Sequence, residues 1–183
     1  MEQKIKFLTQ DELKRLFKTI KKDKSRYHVR NLAIFSIAYR CALRASEVGM
    51  VKVEDFNEFN GELYCRRVMG GENNIVKLDK STLKVLDKYM DEYKKKGSSG
   101  TLFSSQQGGP ISRKTLDVLM KKYCLLAGIE DISKYHFQTI KHSMAVHLAE
   151  KKLDISKTQQ WLGHKYCNYT YIYYRVAENN DLR

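Results

Sequence analysis

Apolar residues recur at helical spacing through most of this chain. Leu13, Leu16, Phe17 and Ile20 share one face of a first helix, and Thr9 with Glu12 three residues on is the capping-box pattern that would start it. From Leu32 to Tyr39 the chain is apolar over much of the helix surface, which predicts a buried central element. Arg44 to Gly49 either continues that helix or begins another. Leu83, Leu86, Met90 and Tyr93 predict a helix capped by Ser81 and ended by the loop Lys94-Lys95-Lys96-Gly97-Ser98-Ser99-Gly100, whose lysines read as a solvated terminus. Gly108-Gly109 reads as a turn, and Ser112 as the N-cap of a helix that runs to Leu126 and breaks at Gly128. Three more helices are predicted, from Phe137 to Lys151, Ile155 to Leu162 and Tyr169 to Val176.

The middle of the chain has a different texture. Glu62 to Val68 and Ile75 to Leu78 flank Gly70-Gly71-Glu72-Asn73-Asn74, a pattern that predicts a hairpin with a looped turn, and a further strand is expected at Thr101-Leu102-Phe103. The fold class expected is mainly α with a small antiparallel β-sheet (α+β). With no internal repeat or low-complexity linker, residues 1–183 read as one domain.

Composition narrows the partners. Lys and Arg number 34 against 21 Asp and Glu, a net charge of +13 on 183 residues, which suits counterion release from a phosphate backbone. Charge alone is shared with ribosome-associated, heparin-binding and membrane-surface proteins. The 42% of apolar residues can build a core without disulfides. No run of about 18 apolar residues suggests a membrane span, and Met1-Glu2-Gln3-Lys4 does not open a secretory signal, so a cytoplasmic protein is expected. Cys41, Cys65, Cys124 and Cys167 form no C-x-x-C pair, and His142 and His147 stand five apart, off one helix face, so no metal site is expected. His142 reads as a helix anchor.

Three blocks carry chemistry: Arg44-Ala45-Ser46-Glu47, Lys141-His142-Ser143-Met144-Ala145-Val146-His147-Leu148, and Trp161-Leu162-Gly163-His164 with Tyr173 nine residues after the histidine. In that order and spacing they resemble the catalytic domain of the tyrosine recombinases, the phage-integrase family, and the resemblance runs from Phe7 to Val176. It implies a DNA breaking-rejoining fold and a site-specific recombinase that cleaves and rejoins double-stranded DNA through a 3′-phosphotyrosyl intermediate. Tyr173 would be the nucleophile, chosen among Tyr166, Tyr169, Tyr171 and Tyr174 by its distance from His164. Arg44 would grip the phosphate with its planar fork, Lys141 would add a second cation, and His164 would donate a hydrogen bond. Glu47, one helical turn on, would hold Arg44 in place. The phosphotyrosine stores the free energy of the broken bond, so no nucleotide cofactor or metal is implied. Several protomers would assemble on DNA as a synaptic tetramer, in a prokaryotic, phage or mobile-element setting.

The chain also departs from the family pattern. Lys141 stands where most members have a second arginine, and Gln138, which would hold the phosphate, where they usually have histidine. Met69 occupies the hairpin turn where a lysine usually protonates the leaving 5′ oxygen, which leaves Lys77 as the candidate general acid and Arg67 as an alternative cation. The pattern begins within ten residues of Met1, with no helical DNA-clamping domain ahead of it in this chain, as in the short fimbrial-switch recombinases. Two alternatives stay open: a catalytically impaired DNA-binding relative that regulates recombination, and a type IB topoisomerase.

Overall fold

The computed structural model describes residues 5–94 and 100–181, so most of the lysine run before Gly100 lies outside the described residues. Helix α1 spans Gln10–Lys22. Its capping box is closed on both sides, with the Glu12 amide donating to Thr9 Oγ1 at 3.2 Å and the Thr9 amide to Glu12 Oε2 at 2.7 Å. Helix α2, His28–Arg40, buries Ala33, Ile34, Phe35, Ile37 and Ala38, as its all-round apolar surface predicts. It is the central element, packed against α1, α6 (Gln138–Glu150) and α4 (Lys80–Lys94). The chain turns at Ala42, whose φ is +50°, so Arg44 caps a new helix, α3 (Ala45–Met50), rather than extending α2.

The sheet has three short antiparallel strands in the order β1 (Phe56–Asn57), β2 (Glu62–Cys65) and β3 (Asn74–Lys77). Cys65 pairs with Asn74 at the looped end and Glu62 with Lys77 at the other. The strand expected at Thr101–Phe103 is absent: only the single bridges Lys52–Thr101 and Ser104–Pro110 form there. Those residues are apolar because Leu102 and Phe103 are core, with the Tyr89 ring stacked on Phe103 and its hydroxyl donating to the Leu102 carbonyl at 2.7 Å. Asp79, not Ser81, starts α4, since its carboxylate accepts from the Thr82 amide and from the Ser81 hydroxyl.

Helix α5 (Arg113–Leu126) begins at Ser112, as predicted. It is followed by α6, α7 (Ile155–Leu162) and α8 (Asn168–Asp181), the last reaching beyond the predicted Val176. One large apolar cluster joins α1, α2, α4 and α5 to the sheet. A second joins Met144, Ala145 and Leu148 of α6, Leu162 of α7, and Tyr173 and Ala177 of α8. The N-terminal segment is sewn to α6: the Leu8 amide donates to Ser143 Oγ at 2.8 Å, and His147 Nε2–H donates to the Leu8 carbonyl at 2.9 Å.

Candidate active site

The floor of the site is built around one carboxylate. Glu47 is almost wholly buried, and its two oxygens accept the Arg44 guanidinium at 2.8 Å, the Arg44 amide at 2.9 Å, the Val68 amide at 3.1 Å and Arg67 at 3.3 Å. Burial alone would raise its pKa; the Arg44 amide and the Arg67 charge outweigh that and hold it below the ordinary glutamate range. Arg44 is thereby fixed from behind while its side chain stays partly exposed toward a cleft.

Arg67, the alternative cation of the sequence reading, faces inward. Its guanidinium donates to the carbonyls of Cys41, Ala42 and Trp161 and its Nε to Asn74, so it ties the hairpin to α2, α3 and α7. That inward clamp explains the Leu162-Gly163-His164 turn. Gly163 ends α7 at φ +63°, and a Cβ there would lie 2.6 Å from the Glu72 carbonyl oxygen and 2.7 Å from Arg67 Nε. Only glycine fits both the left-handed backbone and the hairpin pressed against it. The Glu72 amide donates back to the Gly163 carbonyl at 3.0 Å.

His164 follows that turn, with Nδ1 2.9 Å from Thr170 Oγ1 of α8. The Tyr173 ring stacks on it, centroids 6.2 Å apart and planes inclined by 18°. Tyr173 is 3% exposed, and its hydroxyl shares a 2.9 Å hydrogen bond with His142 Nδ1 on α6. Burial raises the phenol pKa to about 12, against a partial lowering by Arg44. Burial, with the charges of Lys141 and Arg44 added, pushes His142 down to about 4 and His164 to about 3, so both imidazoles are neutral at pH 7.

Lys141 lies in the same charged group. It is 1% exposed and its ammonium has no hydrogen-bond partner. Burial first, then the positive charge of Arg44, lowers its pKa to about 7, with Glu47 opposing. A cation left unsatisfied in a buried place is a group waiting for an anion.

In front of these groups is an open cleft of about 900 Å³, lined among others by Arg44, Met69, Gln138, His142 and Ile172, with Lys6 and Arg113 at its walls. Met69 stands in the loop between β2 and β3 at φ +56° and is 89% exposed, so the hairpin turn brings a thioether rather than a cation to the cleft. Lys77 sits at the other end of the hairpin, 4.0 Å from Glu62 and hydrogen-bonded to the Asn60 carbonyl. The structure therefore brings Arg44, Glu47, Gln138, Lys141, His164 and Tyr173 to one place and leaves Lys77 apart from it. What sequence reasoning missed is His142, taken for a helix anchor, whose ring faces the tyrosine. The available signal was its place next to Lys141, on the turn of α6 that faces the site.

The phage integrase family model matches residues 6–180. The chain belongs to that family. Within it, the chain is 32% identical over 176 residues to the tyrosine recombinase XerD of Oceanobacillus iheyensis, covering 93% of this chain and 58% of that protein. It is also 32% identical over 175 residues to the tyrosine recombinase XerA of Pyrococcus furiosus, with 94% and 58% covered. This phage integrase family chain thus spans less than two thirds of the length of those relatives. A crystal structure of XerA recombinase superposes with a TM-score of 0.83 at 25% identity, covering 95% of this chain and 62% of that one. The mainly helical fold with its small sheet is that of the family's catalytic domains.

Proposed function

We propose that this chain is the catalytic domain of a site-specific recombinase that cuts and rejoins duplex DNA by transesterification. The observation that carries the reading is the convergence of Tyr173, stacked on His164, with Arg44 and the unpartnered Lys141 beside one cleft. The Tyr173 oxygen attacks the scissile phosphorus and the 5′ oxygen departs, leaving a 3′-phosphotyrosyl bond that a different 5′ hydroxyl can reopen. Arg44, held square by Glu47, offers two directed hydrogen bonds to the non-bridging oxygens. Lys141 supplies a point charge, His164 a donor through its Nε2, and Gln138, at the first turn of α6, an amide at the cleft wall.

Lys77 is a candidate for the leaving-group proton only if the hairpin moves, because its ammonium is held at the far end of the sheet. Water in the open cleft is the nearer source. Several protomers on two duplexes would be needed to exchange strands. Among the described residues no helix is long and apolar enough to cross a membrane. A DNA substrate supports reading the activity as cytoplasmic.

The test is covalent trapping. Duplexes are selected from a random pool for binding to the protein, then nicked so that the freed strand escapes after cleavage. Wild-type protein is expected to give a slower band on a denaturing gel and Tyr173→Phe none, with both shifting the DNA on a native gel. DNA shifted by wild type with no adduct would point to the DNA-occupying regulatory relative. Supercoil relaxation by isolated monomers, without partner sites, would point to the topoisomerase.

A further inference from the structure

The contact between Tyr173 and His142 has a use that the charged groups of the site do not supply. Arg44, Lys141 and the donors around them bind the phosphate, but each is positive or a donor. With an anionic phosphate in the cleft Arg44 and Lys141 are held in their charged forms, so neither can receive the proton that the phenol must lose. Resting on the reading above, we propose that His142 is a catalytic residue of this chain, the general base whose Nδ1 takes the Tyr173 hydroxyl proton as the phenolic oxygen bonds to phosphorus.

The geometry meets what a base requires. The donor and acceptor atoms are 2.9 Å apart, within proton-transfer reach without rearrangement, and the rings are inclined by 40° with centroids 5.8 Å apart. His142 belongs to the rigid, almost fully buried helix α6, so its ring position is set by packing rather than by a loop. It also lines the cleft, whereas Tyr173 lies behind it. The neighbouring His164 is engaged through Nδ1 with Thr170 at 2.9 Å, and the histidine nitrogen to which the Tyr173 hydroxyl is hydrogen-bonded is that of His142.

Charge points the same way. Burial, together with the positive neighbours Lys141 and Arg44, keeps His142 neutral, with a pKa of about 4, and in the Nε2–H tautomer its Nδ1 lone pair accepts from the Tyr173 hydroxyl. A phosphodiester arriving in the cleft brings a negative charge to those two cations and raises the basicity of the imidazole at the moment it is needed. The tyrosine in turn becomes more acidic as its oxygen bonds to phosphorus, so the base need not match the resting phenol. In the step, the Tyr173 O–H bond breaks and the Tyr173 O–P bond forms; the proton goes to His142 Nδ1 and the P–O5′ bond breaks. The departing oxygen takes a proton from water. In rejoining, the imidazolium returns its proton to the tyrosine as the P–O bond to Tyr173 opens.

Single-turnover adduct formation on the nicked, selected duplex tests this, using wild type, His142→Ala and His142→Asn. Asparagine puts an acceptor near the place of Nδ1 but cannot keep the proton. Both variants are expected to bind the duplex as wild type does, with unchanged circular dichroism, and to form adduct about 10²-fold more slowly. Replacing the bridging 5′ oxygen by sulfur, which leaves without a proton, is expected not to restore the rate, because the missing function is on the nucleophile's side. A rate for His142→Asn within about threefold of wild type would show that His142 only positions the hydroxyl and overturn the proposal. So would recovery of both variants on the sulfur substrate, which would make His142 an acid. Wild-type protein that binds the duplex without any adduct would instead remove the recombinase reading, and the base with it.

Discussion

Lys141 carries the sharpest conflict between stability and use. An ammonium without a partner, 1% exposed, weakens the fold, and the burial that lowers its pKa to about 7 measures that conflict. Because the folded value lies below the ordinary lysine value of 10.5, the unfolded chain binds more protons between those limits. The penalty is therefore full below about pH 7 and is relieved as the pH climbs toward the unfolded value. Lys141→Met, similar in shape and uncharged, is expected to raise the stability of the DNA-free protein by about 1–4 kcal/mol at pH 6. The gain should shrink by pH 9.5, measured by urea unfolding at both values. The same variant should lose most covalent adduct, since it removes a phosphate cation. A Met variant less stable than wild type at pH 6 would mean that the ammonium finds a partner in solution. A buried lysine also explains why the residue type could be read from the sequence as a departure from arginine, while its consequence needed the packing of α6.

The turn that ends α7 and the loop of the hairpin form one unit, although nearly 90 residues separate them. Asn74 Nδ2 donates to the carbonyls of Gln160 and Trp161, and the Glu72 amide to that of Gly163, so the hairpin adds to the cap that the Gly163 turn itself gives the C-terminus of α7. Gly163→Ala sets a methyl against the Glu72 carbonyl and Arg67 Nε in a left-handed backbone, and is expected to destabilise the protein by about 2–4 kcal/mol. It should slow adduct formation more than the fall in stability explains at temperatures where the protein is folded, because His164 is the next residue. Thermal unfolding and single-turnover rates would check both, and a loss under 1 kcal/mol would show that the hairpin yields. Elements whose signals are local were legible in the sequence: the Thr9 box, the Ser112 cap and the all-apolar face of α2 were readable from neighbours in the chain. The strand expected at Thr101–Phe103 was misread because an apolar run of that length is written the same way whether a sheet or a helix covers it. Ser81 was read as the cap although Asp79 supplies it, since either residue type can start a helix. In the candidate site the motif residues could be picked out by spacing, but the contacts that give them work could not. The pairing of His142 with Tyr173 spans 31 positions, and the inward turn of Arg67 is decided by the carbonyls of Cys41 and Ala42 after α2 and of Trp161 in α7.

The whole molecule keeps three histidines neutral inside it, and this sets how it meets acid. Tyr39 donates to His147 Nδ1 while His147 Nε2–H donates to Leu8, a relay that joins α2, α6 and the N-terminal segment. Burial lowers His147 to about 4 despite the help of the Leu8 carbonyl, and His142 and His164 are pushed to about 4 and about 3. All three lie below the ordinary value of 6.5, so the stabilising effect of keeping them neutral is fully present above that value. It is lost as the pH falls toward 4, because only the unfolded chain then takes up the protons. Three protons correspond to a slope of up to about 4 kcal/mol per pH unit in the middle of that window, against a total stability of about 5–15 kcal/mol for a domain. Glu47, held low by Arg44 and Arg67, adds a further loss at the acid end. Cooperative unfolding is therefore expected between about pH 5 and 4, followed by circular dichroism, with little change from 6.5 to 8. His147→Gln isolates one contribution, since an amide can accept from Tyr39 and donate to Leu8 without titrating, and it leaves the cleft untouched. Its acid midpoint should move down relative to its own stability at pH 7. A midpoint that does not move, or a wild-type protein still folded at pH 3, would mean that these histidines meet water before the fold opens.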